Sequence, residues 1–484
     1  MKRFKLAALS MALLSGCMVG PDYRRPEMAT PEKWRTRLPS GAAPEVQLKD
    51  WWKTFRDPIL NRLIGEAITS NLDLKQTAAR LRDARAQRTA AIAGALPSLN
   101  AKGSASRRFN NSSSSGQSGG GAATGGGFGI GNQTINIFQL GFDAQWELDL
   151  FGGVRRAVEV ADASVQAEEE NRRDVLVSLL GEVAHNYIEL RANQQRLTVI
   201  RENLRSQQDT LTLTRVREAA GLSSTLQVAE AEAQLANTES QLPDFIAASD
   251  QAVHALGVLL GKEPGAFSHL LAGEGAVPVS SGITITDLPS ELLRRRPDIR
   301  AAERQAAAAT ARIGVATAEL YPKINLASFI GIQNMRITDF TPVGKSWSVA
   351  SSLSMPIFNW GKLQANIESK EALRDQSVLT YQATVLNAFK EVEDALVAYN
   401  NERTRKNSLS QAVQANQLAL QLAKEQYLKG LSAYLDVLVI QRTLLQTQSS
   451  LVESEAKVSQ NLVALYKALG GGWEDERSSA TKDG

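Results

Sequence analysis

Cysteine is almost absent: one in 484 residues. A lone thiol cannot close a disulfide within the chain, so no disulfide framework holds this fold. Histidine is nearly as scarce. His185, His254 and His269 show no paired metal-ligand spacing, and His185 and His254 fall in helical runs as ordinary helix residues. Aromatic residues are 6% of the chain, which suits long Ala- and Leu-rich helices better than a large globular core. No apolar run approaches the ~20 residues of a membrane helix. A chain of this kind that crosses a membrane must do so with strands. A charge excess is missing too. The formal charge is +3, and it disappears when Lys2, Arg3 and Lys5 are removed with the segment they occupy. That balance argues against a nucleic-acid binder.

Phosphate and dinucleotide loops are also missing. Gly344-Lys345-Ser346 has the ending of a phosphate-binding loop, but Asp339 stands where the first glycine is required and no helix follows. The glycine run from Gly119 to Gly131 lacks the strand-to-helix setting of a dinucleotide site. No cofactor is expected and no catalytic constellation is found.

What is present starts at the N-terminus. Lys2, Arg3 and Lys5 form a basic region, and Leu6 to Leu14 is apolar but too short to span. Leu14-Ser15-Gly16-Cys17 follows, which has the form of a bacterial lipoprotein box. Residues 1–16 are therefore expected to be a removed signal, with Cys17 acylated. Residues 17–60 are Pro-rich and extended, with Trp34, Trp51, Trp52 and Phe55 as aromatic anchors.

Beyond this point the periodicity alternates. Asn61 to Leu96 is helical and Pro97 ends it. Leu99, Ala101 and Ala105 alternate with polar residues, then a Gly/Ser segment runs from Asn110 to Asn132. Phe138, Leu140, Phe142, Ala144, Trp146 and Leu148 define one face of a strand; Gln139, Asp143, Gln145 and Glu147 lie on the other. Helix resumes near Val154 and breaks at Gly221-Leu222-Ser223. A heptad helix with Val228, Leu235, Leu242 and Leu256 returns from it, with Pro243 expected to split it. Residues 261–289 read as a loop with a short extended piece at Ile283, Ile285 and Leu288. Arg294-Arg295-Arg296 then precedes a helix, where basic charge is mildly unfavourable. That helix ends at Pro322. Ile324, Leu326, Ile330 and Ile332 mark a third strand, and Trp347, Val349, Leu353 and Met355 a fourth, with a short loop around Thr341-Pro342 between them. A helix from Leu363 reaches Gly430-Leu431-Ser432, and a strict heptad arm follows with Val437, Leu444, Leu451, Val458 and Leu465. At 67 residues, Leu363 to Lys429 would be roughly 100 Å long as one helix.

The order occurs twice, and so does the register. Asp73, Leu74, Pro97 and Asn100 match Asp298, Ile299, Pro322 and Asn325 at an offset of 225. Gly221, Leu222, Ser223, Leu226, Val228 and Leu235 match Gly430, Leu431, Ser432, Leu435, Val437 and Leu444 at 209. Phe151 and Phe358 are 207 apart.

Four strands with one apolar and one polar face fit a lipid-facing barrel. Four strands cannot close one, since about eight is the practical minimum, and open edges are not tolerated in lipid. Several chains must share a barrel, and long amphipathic helices likewise need neighbours.

The pattern resembles the TolC-like outer-membrane efflux factors, in particular the lipid-anchored (OprM/NodT-like) branch that serves RND efflux systems. The matching residues are Cys17 with Gly20-Pro21-Asp22-Tyr23; Trp51-Trp52, Phe55, Asp57-Pro58 and Leu60; Trp146 to Gly152; Arg296-Pro297-Asp298-Ile299; and Tyr427, Gly430 and Leu435 to Leu438. The resemblance implies a mainly α fold with a β-barrel contribution. In it a homotrimer forms a twelve-strand barrel continuous with an α-helical barrel. On this reading residues 61–289 are the first repeat, with strands near 98–109 and 135–149, a hairpin over 154–260 and an equatorial loop over 261–289. Residues 290–470 are the second repeat, with strands near 323–333 and 346–357 and a hairpin over 363–469, and 471–484 is a tail.

The implied function is the passive exit duct of a tripartite efflux pump in the bacterial outer membrane, lipid-anchored and reaching into the periplasm. Its implied partners are a periplasmic adaptor, an inner-membrane RND-type transporter and outer-membrane lipid. The adaptor would dock at the tips Gly221-Leu222-Ser223 and Gly430-Leu431-Ser432. The family's periplasmic gate maps onto Leu435 for a hydrophobic ring, Asp436 for a carboxylate, and Tyr427 with Arg442 for a hydrogen-bond network. Val439 departs from the family, where an acidic residue is expected. The same glycines and serines also serve as turn and cap residues, and Leu435 also fits a heptad core. Two other functions share these features: the duct of a type I protein-secretion system, and a structural coiled-coil lipoprotein without a pore.

Overall fold

A computed structural model describes residues 18–36, 48–110, 133–273, 275–280, 289–336 and 345–473. Residues 1–16, Cys17, the Gly/Ser segment after 110, the extended piece at 283–288, the loop around 341–342 and the tail after 473 lie outside the described residues. The chain forms two compact units, each drawing segments from both repeats.

One unit, residues up to 24, 84–165 and 305–377, is built on a sheet. Its strands are β1 (Ser98–Asn110), β2 (Gln133–Leu148), β3 (Lys323–Asn334) and β4 (Lys345–Ser354). They pair antiparallel in the order β1-β2-β3-β4, so β1 and β4 are edges. The alternation sets the register. Leu140 lies opposite Ile332, Phe142 opposite Ile330 and Trp146 opposite Leu326, which gathers the apolar side chains on one face. Among the described residues that face is uncovered: Phe142, Ile330 and Trp347 are 53%, 67% and 76% exposed. At the crossing of β2 and β3, Gly141 lies opposite Gly331. A Cβ on Gly141 would come 2.7 Å from the Gly331 Cα and 2.7 Å from the Phe329 ring, so a side chain has no room there.

The same unit seats the segment that starts at Met18. The Val19 N–H donates to the Phe151 carbonyl at 3.2 Å. Gly20, at φ +87°, passes so close to Gly314 that a Cβ on it would sit 2.5 Å from the Gly314 Cα. The Arg156 guanidinium is buried beneath. It donates to the Val19 carbonyl at 3.1 Å, the Gly20 carbonyl at 3.1 Å, Asp22 at 2.8 Å and Glu159 at 2.7 Å. Tyr23 packs against a small cluster of Ala163, Ala307 and Ala308. Each residue of Gly20-Pro21-Asp22-Tyr23 except the proline thus has a defined contact.

The other unit, residues 25–83, 166–304 and 378 onward, is helical. Its main core joins Trp51, Trp52 and Phe55 of a 3₁₀ turn (Leu48–Phe55) to Leu60, Leu63 and Ile64 of α1 (Pro58–Ser70), and to Leu180, Tyr187, Leu465 and Tyr466. Trp51 stacks on Tyr466 with ring centroids 5.2 Å apart. Asp57 explains the Asp-Pro pair. It caps α1 by accepting from the N–H groups of Ile59 and Leu60 at 2.8 and 3.0 Å, while Pro58 occupies a first-turn position that needs no donor. Its second oxygen accepts from the Tyr187 hydroxyl at 2.7 Å. Arg296 is buried and ties three elements together. It pairs with Asp298 and with Glu391, each at 2.7 Å, and donates to the Ala468 carbonyl at 3.0 Å. That finds the partners for the last residue of the Arg294-Arg295-Arg296 run.

The duplication is carried residue for residue in the helices. In the first repeat α2 (Leu72–Ala93) precedes the strands and α3 (Gly153–Ala219) follows them. In the second, α8 (Pro297–Ala318) and α9 (Lys362–Leu428) do so, after the short α6 (Ser268–Leu271) and α7 (Pro289–Arg295). Both α2 and α8 have 22 residues, and both α3 and α9 have 67. The return arms differ. In the first repeat the arm is two helices, α4 (Thr225–Glu239) and α5 (Leu242–Leu259), with Pro243 in the first turn of α5. In the second it is one unbroken helix, α10 (Tyr434–Ala468). Among the described residues, no helix is long and apolar enough to cross a membrane.

Candidate functional site: the paired helical tips

Both hairpins turn in the same way. The N–H groups of Gly221 and Leu222 donate to the carbonyls of Glu218 and Arg217, each at 2.8 Å. Those of Gly430 and Leu431 donate to Tyr427 and Gln426 at 3.1 and 2.9 Å. This is the Schellman closure of a helix. It demands a left-handed residue, and the two glycines lie at φ +72° and +73°. Among the described residues, nothing lies within 4 Å of a Cβ added to either. Leu222 and Leu431, the next residues, are 67% and 75% exposed. The heptad partners that follow, Leu226 and Leu435, are also exposed. The tips therefore present four leucines in two equivalent pairs.

The two tips are joined by a small cluster. Leu211, Val228, Ala231, Ala423, Tyr427, Tyr434 and Val437 are buried together. The Ser223 and Tyr427 hydroxyls are 3.3 Å apart. The Arg217 guanidinium lies over the Tyr427 ring at 4.7 Å and donates to the Leu428 carbonyl at 3.4 Å. The Tyr427 and Tyr434 rings are 5.8 Å apart. Burial pushes the Tyr434 hydroxyl up to about 12, with Tyr427 and Glu230 adding to the rise. One turn further along, Gln441 donates to Thr210 at 3.1 Å and Lys424 to Ser206 at 2.7 Å. Burial holds the Lys424 amine below its ordinary range, against the pull of Asp209.

The cap assignments differ from the sequence expectation. The residue before α4 is Ser224, without a side-chain cap bond, and the one before α10 is Ala433. Ser223 is engaged with Tyr427 instead. The second tip is capped from inside the helix, where the Asp436 carboxylate accepts from the Ala433 N–H at 3.2 Å. Asp436 thus has a structural contact in addition to any charge it presents.

The expected gate residues fall into two groups. Tyr427 is buried in the tip cluster. Leu435 is exposed, as is Val439. Arg442 is not brought to Tyr427 within the chain. It is exposed and lines a hollow of about 560 Å³ with Arg196, Gln234, Gln241, Phe245 and Glu453. The cation that meets Tyr427 is Arg217, which periodicity did not reveal. Its only sequence signal is a basic residue in the last turn of α3, where the helix dipole favours it. At the 209 offset of the repeat, Val439 corresponds to Glu230 in the first copy, and Asp436 to Gln227.

Residues 63–262 and 288–471 match a protein family described as outer membrane efflux protein. The two matched blocks begin 225 residues apart and end 209 apart, the offsets of the repeat. The chain is 32% identical to nodulation protein T of Rhizobium leguminosarum bv. viciae, over 100% of this chain and 96% of that one. It is 32% identical to the cation efflux system protein CusC of Escherichia coli O6:H1, over 97% and 99%. The solved outer-membrane channel OprN superimposes with a TM-score of 0.86 at 33% identity, covering 94% of this chain and all of that one. With its duplicated hairpins and its apolar-faced sheet, the chain belongs to the outer membrane efflux protein family and serves in the outer membrane as the channel of an efflux system.

Proposed function

We propose that three copies of the chain close one twelve-strand barrel and act as the passive exit duct of a tripartite pump. The observation that carries this reading is the sheet. It has four strands with an apolar face bare to the surroundings and two open edges, which lipid does not tolerate unless other strands complete the ring. An inner-membrane RND-type transporter supplies the energy, and a periplasmic adaptor docks on the leucines of the tips. Acylated Cys17 anchors the duct, and residues 1–16 are removed. Leu435 forms the hydrophobic ring of the periplasmic gate, and Asp436 adds its carboxylates. Tyr427 is held by Arg217 and Ser223, while Arg442 belongs to the contact with a neighbouring copy. The cargo is a small molecule or ion chosen by the transporter.

Conductance of the purified protein in a planar bilayer tests the duct. The native channel should conduct weakly, and Leu435→Ala should raise the conductance. A protein that never conducts would be a scaffold instead. Gly430→Glu should abolish export from a complemented deletion strain while the oligomer still assembles; unchanged export would remove the tips from the adaptor contact.

A further inference from the structure

The sheet has two ends and two faces, and its charges are divided unevenly among them. At one end β2 passes into α3 and β4 into α9. These junctions mark the periplasmic side, because the helices reach into the periplasm. The opposite end, at Phe109, Asn334 and Lys345, meets the outer leaflet. The strand pairing sorts the side chains by face. Ala105 lies opposite Phe138, and Arg107 opposite Asn136. Trp347 lies opposite Ile330, and Lys345 opposite Ile332. Arg107 and Lys345 therefore stand on the apolar face, which lies against lipid. Among the described strand residues they are the only charged side chains on that face. Both are cations, and both are at the outer end. The other face is mixed in sign and charged along its length, with Lys102, Arg108 and Lys323 beside Asp143 and Glu147.

Position along the strands says what these cations meet. The apolar face of β2 runs from Leu148 to Phe138. Ten steps of about 3.3 Å, tilted by about 40°, rise roughly 25 Å, the height of the apolar band of a membrane barrel. Arg107 and Asn136 are the next pair on that face beyond Phe138, at the level of the headgroups. A cation on the lipid face is costly at the middle of the bilayer and tolerated there. Lys345 stands one step nearer the helices, and its four-carbon stem carries the ammonium outward. Trp347 and Phe109, on the same face, are 76% and 60% exposed, and aromatic rings favour this boundary. Among the described residues 104–110, 133–138, 332–336 and 345–348 there is no Asp or Glu. Wetting the rim would be served by either sign. A rim with cations alone is complementary to an anion.

We propose that Arg107 and Lys345 bind the phosphates of a phosphorylated glycolipid in the outer leaflet. The Arg107 guanidinium offers phosphate a fork of donors, and the Lys345 ammonium a point charge. Trp347 and Phe109 pack against the upper acyl chains. Phospholipid of the inner leaflet is not the partner, because the periplasmic end of the lipid face carries no cation among the described strand residues. The inference rests on the apolar face lying in lipid. It requires neither a particular pump nor a particular way of closing the barrel.

Binding of the full-length protein to the phosphorylated disaccharide lipid of the outer leaflet, measured in mixed detergent micelles, tests the site. The same lipid stripped of its phosphates is the comparison. The native protein should bind the phosphorylated probe more tightly. Arg107→Ala and Lys345→Ala should each weaken that binding about fivefold, and the double variant about 25-fold. Arg108→Ala removes a cation next to Arg107 but on the other face, and should leave binding unchanged. Equal affinity of the native protein for the two probes overturns the proposal, and this comparison decides even where the double variant fails to insert. An Arg108→Ala loss as large as that of Arg107→Ala overturns it as well, since the lipid face would then have no special part. Conductance in a planar bilayer should stay at the native value in every variant. A native protein that binds the probe as expected and never conducts would sink the duct and leave this site standing.

Discussion

The two repeats have outgoing helices of equal length and tips of equal geometry, yet they live in different surroundings. Val177 in α3 is buried, at 4% exposure; its counterpart Leu386 in α9 is 61% exposed. Glu170 in α3 is buried between Arg173 and Arg300, at 2.7 and 2.6 Å; its counterpart Leu379 is 63% exposed. Val397, Leu418 and Leu428 are exposed along α9 as well. The first copy finds its neighbours within the chain. Among the described residues the second copy presents these apolar side chains without cover, as the proposed subunit boundary would need. A glutamate at each of the paired positions separates these roles. Val177→Glu should unfold the protomer, because an ion buried in the core costs several kcal/mol. Leu386→Glu should leave the helical circular dichroism of the monomer intact and abolish the oligomer on a sizing column. If Leu386→Glu still assembles, α9 is not at the boundary.

The junctions give a second, smaller contrast. The first copy has Arg156 beneath the N-terminal segment; the second has Ala365 at that place. Arg156 satisfies two carbonyls and two carboxylates at once, and its side chain is 1% exposed. Arg156→Met leaves those carbonyls without a donor, at about 1–3 kcal/mol for a buried group. The segment from Met18 to Tyr23 should then detach while the sheet and helices persist. Trypsin cleavage after Arg24 reports it, with an expected acceleration of about 5- to 150-fold. Ala365→Arg, the mirror change, should leave that rate unchanged. Equal cleavage in Arg156→Met and the native protein would show that the Val19–Phe151 hydrogen bond, the Gly20–Gly314 crossing and the Tyr23 packing hold the segment without Arg156.

Much of this was legible in the chain because it is periodic or repeated. The alternation from Phe138 to Leu148 predicts a strand, and β2 runs Gln133–Leu148. Gly221 and Gly430 predict left-handed turns from residue type, since only glycine reaches that backbone region without strain. Pro243 predicts a break, and the return arm of the first copy is broken beside it. Contacts between residues far apart leave no such trace. Arg217 over Tyr427, and Arg156 under Val19 and Gly20, each join positions more than a hundred residues apart, and no local spacing encodes them. The cap residues differ from the local pattern for a related reason. Serine after a helix stop is a good local candidate, but a tertiary partner, Tyr427, competes for the Ser223 hydroxyl, and Asp436 supplies the cap of α10 from three residues inside.

The tips offer the finest distinction, because their joining cluster is built on tyrosines found only in the second copy. Tyr427 stands where the first copy has Glu218, and Tyr434 where it has Thr225. Tyr427→Phe keeps the ring under Arg217 and removes only the contact with Ser223. The expected loss is about 0.5–1.5 kcal/mol, read as trypsin cleavage after Lys429 rising by roughly three- to tenfold. An unchanged rate would mean that ring packing alone joins the tips. Tyr434 adds a pH dependence of known sign. Its folded hydroxyl titrates near 12, above the value of about 10 for a free phenol. The folded tip therefore favours the neutral form, and this contribution is complete below pH about 10 and fades as the pH rises toward 12. Alkaline titration followed by tyrosinate absorbance should show a late-titrating component that disappears in Tyr434→Phe. Tips that stay closed through that window in the native protein would place the work of joining them on Arg217 and the buried leucine and valines.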